Sequence, residues 1–114
     1  MATAMMQRRV FKVRVQLFRN RISISPNRLE VPRGSLVEWE FASGIEGVTI
    51  NVVVYFDAGS PFPWRESGAV VQPQKGSAIT GVPESPGEFK YGIRASDART
   101  REELGDEDPW LVVL

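Results

Sequence analysis

Pro32-Arg33-Gly34-Ser35-Leu36-Val37-Glu38-Trp39-Glu40-Phe41 is the stretch on which the fold turns. Pro32 to Ser35 is tight-turn chemistry, because proline presets its own φ and glycine takes conformations that other residues resist. Val37, Trp39 and Phe41 then alternate with Glu38 and Glu40. That period of two is the mark of a strand with one face in a core and one in water. It is the clearest strand pattern in the chain.

The same reading extends in both directions. Upstream, Phe11, Val13, Val15 and Leu17 alternate with Lys12, Arg14 and Gln16, and Ile22 and Ile24 resume after Arg19-Asn20-Arg21. Ser25-Pro26-Asn27-Arg28 reads as a turn before the short extended piece Leu29-Glu30-Val31. Downstream of Ala42-Ser43-Gly44, one face of a strand carries Val48, Ile50, Val52, Val54 and Phe56. Val53 and Tyr55 lie on its other face, which predicts cover on both sides near its end. Residues 57–68 form a loop rich in glycine and proline. Ala69-Val70-Val71 and Ala78-Ile79-Thr80 are short strands on either side of Lys75-Gly76.

Pro86-Gly87 leads into Phe89, Tyr91 and Ile93, which alternate with Glu88, Lys90 and Arg94. Asp97 to Glu107 is polar, with room for one helical turn, and Asp108-Pro109 opens a last strand from Trp110 to Leu114. No stretch keeps apolar residues at helical spacing. About seven or eight short strands separated by turns predict an all-β, antiparallel Greek-key sandwich. Trp39 and Trp110 read as core residues from their places in strands.

A chain of 114 residues has the size of one domain, expected over residues 10–114 behind a flexible segment 1–9. No run of about 18 apolar residues exists, so no membrane span is expected. Met1 to Arg9 lacks the charged-then-apolar order of a secretory signal, and a cytoplasmic location is the default expectation. Net charge is zero but unevenly placed. Residues 1–33 hold eight basic residues against Glu30 alone, and residues 34–114 hold six against thirteen acidic. With no overall basic excess, nucleic acid is not the expected partner. Oppositely charged segments lying side by side in the fold, or across a subunit contact, account for the split.

Ile24 to Trp39, with Pro26, Leu29, Val31, Gly34 and Val37, resembles the second and third strands of the cupredoxins. Ser67-Gly68, Gly76-Ser77 and Pro86-Gly87-Glu88-Phe89-Lys90-Tyr91 continue the likeness, the last resembling that family's Gly-x-Tyr-x-Tyr-x-Cys approach to its metal. Asp108-Pro109 with Trp110 to Val113 resembles its closing strand. The resemblance implies a blue-copper site of two histidines, a cysteine thiolate and a weak axial methionine. It would place the first histidine near Gly47, the cysteine at Ile93, and the second histidine and the methionine between Ala95 and Asp108. The chain has no histidine and no cysteine. Blue copper is therefore excluded by the residues, no cofactor is expected, and the fold carries no function across by itself.

Other chemistry is thin. Glu102, Glu103, Asp106, Glu107 and Asp108 offer oxygen ligands to a hard cation, but without the ordered spacing of a calcium loop. A carboxylate-based enzyme is the third-ranked reading, because no pair is marked as convergent and histidine, the usual base at neutral pH, is missing. The expectation is not an enzyme but a copper-free binding or assembly module, joined to a protein partner or to itself as a homo-oligomer. The second reading is an accessory domain of a metal-handling or respiratory system that has lost its site. Phe62 and Trp64, in Ser60-Pro61-Phe62-Pro63-Trp64, are the candidate contact residues for a partner or ligand. Large aromatics on a proline-stiffened loop either anchor a partner or fold back to cap the sandwich.

Overall fold

The computed structural model describes residues 9–114, so the segment 1–9 expected to be flexible lies outside it except for Arg9. Eleven strands follow one another: β1 (Val10–Phe18), β2 (Arg21–Ser25), β3 (Arg28–Val31), β4 (Leu36–Ser43), β5 (Ile50–Tyr55), β6 (Glu66–Val71), β7 (Ser77–Gly81), β8 (Gly87–Lys90), β9 (Gly92–Asp97), β10 (Glu103–Glu107) and β11 (Trp110–Val113). Three of the gaps are brief interruptions of one extended path: Pro26-Asn27, Tyr91, and Asp108-Pro109. Proline has no N–H to give to a ladder, which accounts for the first and last of these breaks.

One layer of the sandwich is a sheet in the order β2-β1-β4-β7. The other is β10-β9-β5-β6, and a third set, β3-β11-β8, continues β2 of the first sheet and β10 and β9 of the second. The expected antiparallel sandwich needs one correction. β1 runs parallel to β4, and β3 parallel to β11. Neither pair is consecutive in the chain, so no hairpin forces them antiparallel.

The alternation seen in sequence is the inside–outside pattern of the molecule. Val13, Val15 and Leu17 of β1, Val37, Trp39 and Phe41 of β4, Ile50, Val52 and Val54 of β5, and Ile93 and Ala95 of β9 are all buried in one core cluster. Trp39 is fully buried, and its indole Nε1–H donates to the Tyr91 hydroxyl at 3.0 Å. A packed core of this kind loses roughly 3–5 kcal/mol when a buried tryptophan is cut to alanine.

Two further expectations are corrected. The single helical turn for which Asp97 to Glu107 has room is there, closed by the Arg101 N–H on the Asp97 carbonyl, but the rest of the segment is β10, antiparallel to β9. Leu104 is its one buried apolar side chain, and Gly105 lets the strand close on Ile22, whose Cγ1 would stand 2.8 Å from any added Cβ. Trp110 is not in the core. It shares the outer face of β11 with Val112, pairs across the sheet with Lys90, and carries the Lys90 ammonium 5.0 Å above its ring.

Candidate functional site

β5 begins and β9 ends at the same end of the sandwich, because Ile50 pairs with Asp97. The turn Gly44 to Gly47 approaches from β4. Ser43 accepts a hydrogen bond at Oγ from the Ile45 N–H (3.1 Å), and Ile45 tucks into the core. Gly47 sits at φ 71°, a left-handed conformation that explains glycine at that position. The Ala98 N–H donates to the Thr49 carbonyl at 2.9 Å, tying the β9–β10 turn to the start of β5. Gly47, Val48, Thr49, Asp97, Ala98 and Arg99 line a hollow of about 330 Å³ there.

The turn itself is bonded internally. Asp97 Oδ1 accepts from the N–H groups of Arg99 (2.8 Å) and Thr100 (3.1 Å), while its carbonyl accepts from Arg101 N–H (2.8 Å). The Thr100 and Arg99 amides hold the Asp97 carboxyl below its ordinary range. Its Oδ1 is thus occupied by the turn.

The positions assigned by resemblance do not all converge here. Gly47 lies beside Asp97 to Arg99, but Ile93 pairs with Val54 inside the sandwich and is fully buried. It stands four pairs along β5 from Asp97, about 13 Å at 3.3 Å per residue. Ala95 to Asp108 is not an open ligand loop but mostly β9 and β10. Asp97, where the strand ends, is the residue that sequence reading missed. The signal for it was the Asp-Ala-Arg-Thr run, which bonds its own backbone as a turn.

The acidic run has structural partners at two positions. Asp106 accepts from the Tyr55 hydroxyl at 2.8 Å, and Asp108 pairs with Lys90 at 3.3 Å. Burial first, and then this bond to Asp106, push the Tyr55 hydroxyl up to about 12. Among the described residues no group of three or more carboxylates converges as a cation site would require.

Phe62 and Trp64 fold back onto the opposite end. Ser60 Oγ accepts from the Phe62 N–H at 3.0 Å and donates to the Trp64 carbonyl at 2.7 Å, which curls the loop inward. The two rings stack at 4.7 Å, and both meet Trp39 and Phe56 edge-on. Phe62 is only 6% exposed and Trp64 is half-buried. Of the two roles open to them, the packing is that of a cap on the core.

No protein-family model matches the chain, and no curated protein matches it in sequence. Solved structures do. A purple cupredoxin from Nitrosopumilus maritimus aligns over 90% of this chain and 98% of its own, at 20% identity and a TM-score of 0.56. Reduced rusticyanin aligns over 95% of this chain and 81% of its own, at 16% identity and a TM-score of 0.56. The fold is cupredoxin-like.

A chain from a heme-copper terminal oxidase dimer is also similar, at 11% identity and a TM-score of 0.53. The alignment covers 93% of this chain but 65% of that one, so this cupredoxin-like chain spans somewhat under two thirds of its length. At the end where β5 starts and β9 stops, this domain offers Thr49, Asp97 and backbone, with no imidazole or thiolate anywhere in the sequence. Those hard oxygen donors do not fit a blue-copper ion.

Proposed function

We propose that this protein is a copper-free, non-enzymatic binding or assembly module, cytoplasmic in location, built on a cupredoxin-like frame. The observation that carries the reading is the closure of both ends of the sandwich. At one end a turn around Asp97 is bonded to itself, leaving a shallow hollow of about 330 Å³, and at the other Phe62 and Trp64 cap Trp39. Chemistry in a β-sandwich is usually carried by its end loops, and these loops are spent on structure. The outer faces of the sheets are open to solvent without such internal bonding of loops. A hollow of about 550 Å³ lies there, on the outside of the β2-β1-β4-β7 sheet.

Two measurements test this. Titration with copper(II) should give no intense thiolate-to-copper absorption and no stoichiometric complex; a coloured one-to-one complex refutes the copper-free part. Cross-linking in the native cell, read by mass spectrometry, should join the outer faces of the sheets to another chain or to a second copy. Cross-links confined to the capped ends would place recognition on the loops and overturn the reading. An accessory domain of a respiratory assembly is the second reading, favoured only by the similarity to a chain of the terminal oxidase dimer.

A further inference from the structure

The outer face of the β2-β1-β4-β7 sheet carries its charges in two adjoining stripes. β1 and β4 run parallel in a register that sets Val10 beside Leu36, Lys12 beside Glu38, Arg14 beside Glu40 and Gln16 beside Ala42. The core takes Val13, Val15 and Leu17 from β1, so Val10, Lys12, Arg14, Gln16 and Phe18 face outward. The basic row therefore lies directly against an acidic row. Val10 and Phe18, 48% and 38% exposed, stand at the two ends of the basic row.

The flanking columns are short beside Arg14 and Gln16, whereas Arg21, farther along β2, pairs with Phe18 and lies 4.0 Å above its ring. On the β2 side, Ser25 and Ser23 pair with Arg14 and Gln16; on the β7 side, Ala78 pairs with Glu40. The resulting hollow has Arg14, Gln16, Glu40, Ala42, Gly76 and Ala78 among its walls.

Two such faces can be brought together by a two-fold axis in either of two directions. An axis across the strands lays β1 on β1 of the second copy and sets Arg14 against Arg14. An axis along the strands, between β1 and β4, lays the β1 row of each copy on the β4 row of the other at the same height. Lys12 then meets the partner's Glu38, Arg14 the partner's Glu40, Gln16 the partner's Ala42 and Val10 the partner's Leu36. Ser25 falls over the partner's Ala78, where both side chains are short enough for close approach. Each contact is made twice, as an isologous interface requires. This matching follows directly from the parallel register of β1 and β4.

We propose that the protein assembles as a homodimer through this face, with the two-fold axis running along β1 and β4. The proposal rests on the assembly reading above and names its partner as a second copy. The hollow is filled by the partner's Arg14 and Gln16. Within one chain Lys12–Glu40 and Arg14–Glu40 are 3.5 and 3.9 Å pairs in contact with water, which contribute little. Sheets stacked at about 10 Å exclude that water and give each charge a second opposite neighbour.

Sedimentation equilibrium on the full chain at low and high salt, with charge-reversed variants, tests the proposal. Wild type should form a dimer that weakens with salt. Arg14→Glu sets acid against acid, and Glu40→Arg sets base against base. Each should raise the dimer dissociation constant by about tenfold or more. Mixing these two variants should restore dimers, because every mixed contact is again between opposite charges. Both side chains are at the surface, and unchanged melting of each variant confirms that it is folded. A wild-type protein that stays monomeric at low salt overturns the proposal, as does a dimer indifferent to both reversals or a mixture that stays dissociated. A monomer would leave the wider assembly reading to the cross-linking experiment, so the two can fail separately.

Discussion

Replacing Tyr91 with phenylalanine removes one oxygen from the centre of the molecule. Its hydroxyl accepts the Trp39 indole N–H at 3.0 Å, Trp39 is fully buried, and Tyr91 is only 4% exposed. No buried side-chain nitrogen or oxygen among the described residues lacks a partner, so the variant would create the first. The hydrogen bond alone is worth about 1 kcal/mol, but stranding the indole N–H raises the cost to about 1–3 kcal/mol. The ring keeps its stack on Phe56 at 5.0 Å, so the cavity contribution is small. For a domain of this size the melting temperature should fall by about 4–12 °C. Tyr55→Phe is the control, because its hydroxyl bonds to the exposed Asp106; that change should stay within about 0.5 kcal/mol. The decisive measurement is a thermal double-mutant cycle with Trp39→Phe, which removes the donor. Once the indole N–H is gone, Tyr91→Phe should cost much less than it does in wild type. Equal costs in both backgrounds would refute the buried pair as the source of the effect.

Two other perturbations follow from the same core. Phe62→Ala should cost roughly 3–5 kcal/mol in chemical denaturation, the range for a buried phenylalanine; a loss below about 1 kcal/mol would show that Phe62 is not part of the cap. Alkaline pH should also destabilise the fold, since burial pushes the Tyr91 hydroxyl up to about 12 from the ordinary 10.0. The unfolded chain releases this proton first, so the stabilisation is intact below pH 10 and is lost as pH rises toward 12, by roughly 2–3 kcal/mol. Tyr91→Phe should remove part of that slope, the remainder lying with Tyr55, and a curve unchanged by the substitution would remove Tyr91 as a cause.

Strand positions were legible because each buried strand face repeats every second residue. Val13, Val15 and Leu17, and Val37, Trp39 and Phe41, were placed inside from spacing alone and are inside. The failures have the same root. β10 has a single buried apolar side chain, Leu104, set among charges, so it shows no alternation and reads as a loop. Trp110 was read as core from its place in a strand, although strict alternation with the buried Leu111 and Val113 puts it outside. Val112, on that same outer face, is nonetheless 8% exposed. Arg28 and Glu88, paired at 3.1 Å from the strands on either side of β11, supply cover that no one-strand pattern reveals. Phe62 and Trp64 were ambiguous because a proline-stiffened aromatic loop has the same composition whether it turns out or in. The Ser60 side chain turns the loop inward by bonding both of its arms.

The charge split shows most plainly what sequence order conceals. Along the chain, the basic and acidic parts leave two arrangements open, side by side in one fold or across a subunit contact. In the fold, the parallel register of β1 and β4 sets Lys12 beside Glu38 and Arg14 beside Glu40, while Arg28 reaches Glu88 from β3 to β8. Segments 26 residues apart are therefore neutralised row by row inside one sandwich. That pairing also has a consequence at the surface. A positive strand paired in parallel with a negative one makes a face whose charges complement their own image under a two-fold axis along the strands. What the match requires is the register, which sets each cation level with a carboxylate. The parallel crossover could not be read from sequence, and it turns an imbalance of composition into a surface that matches itself.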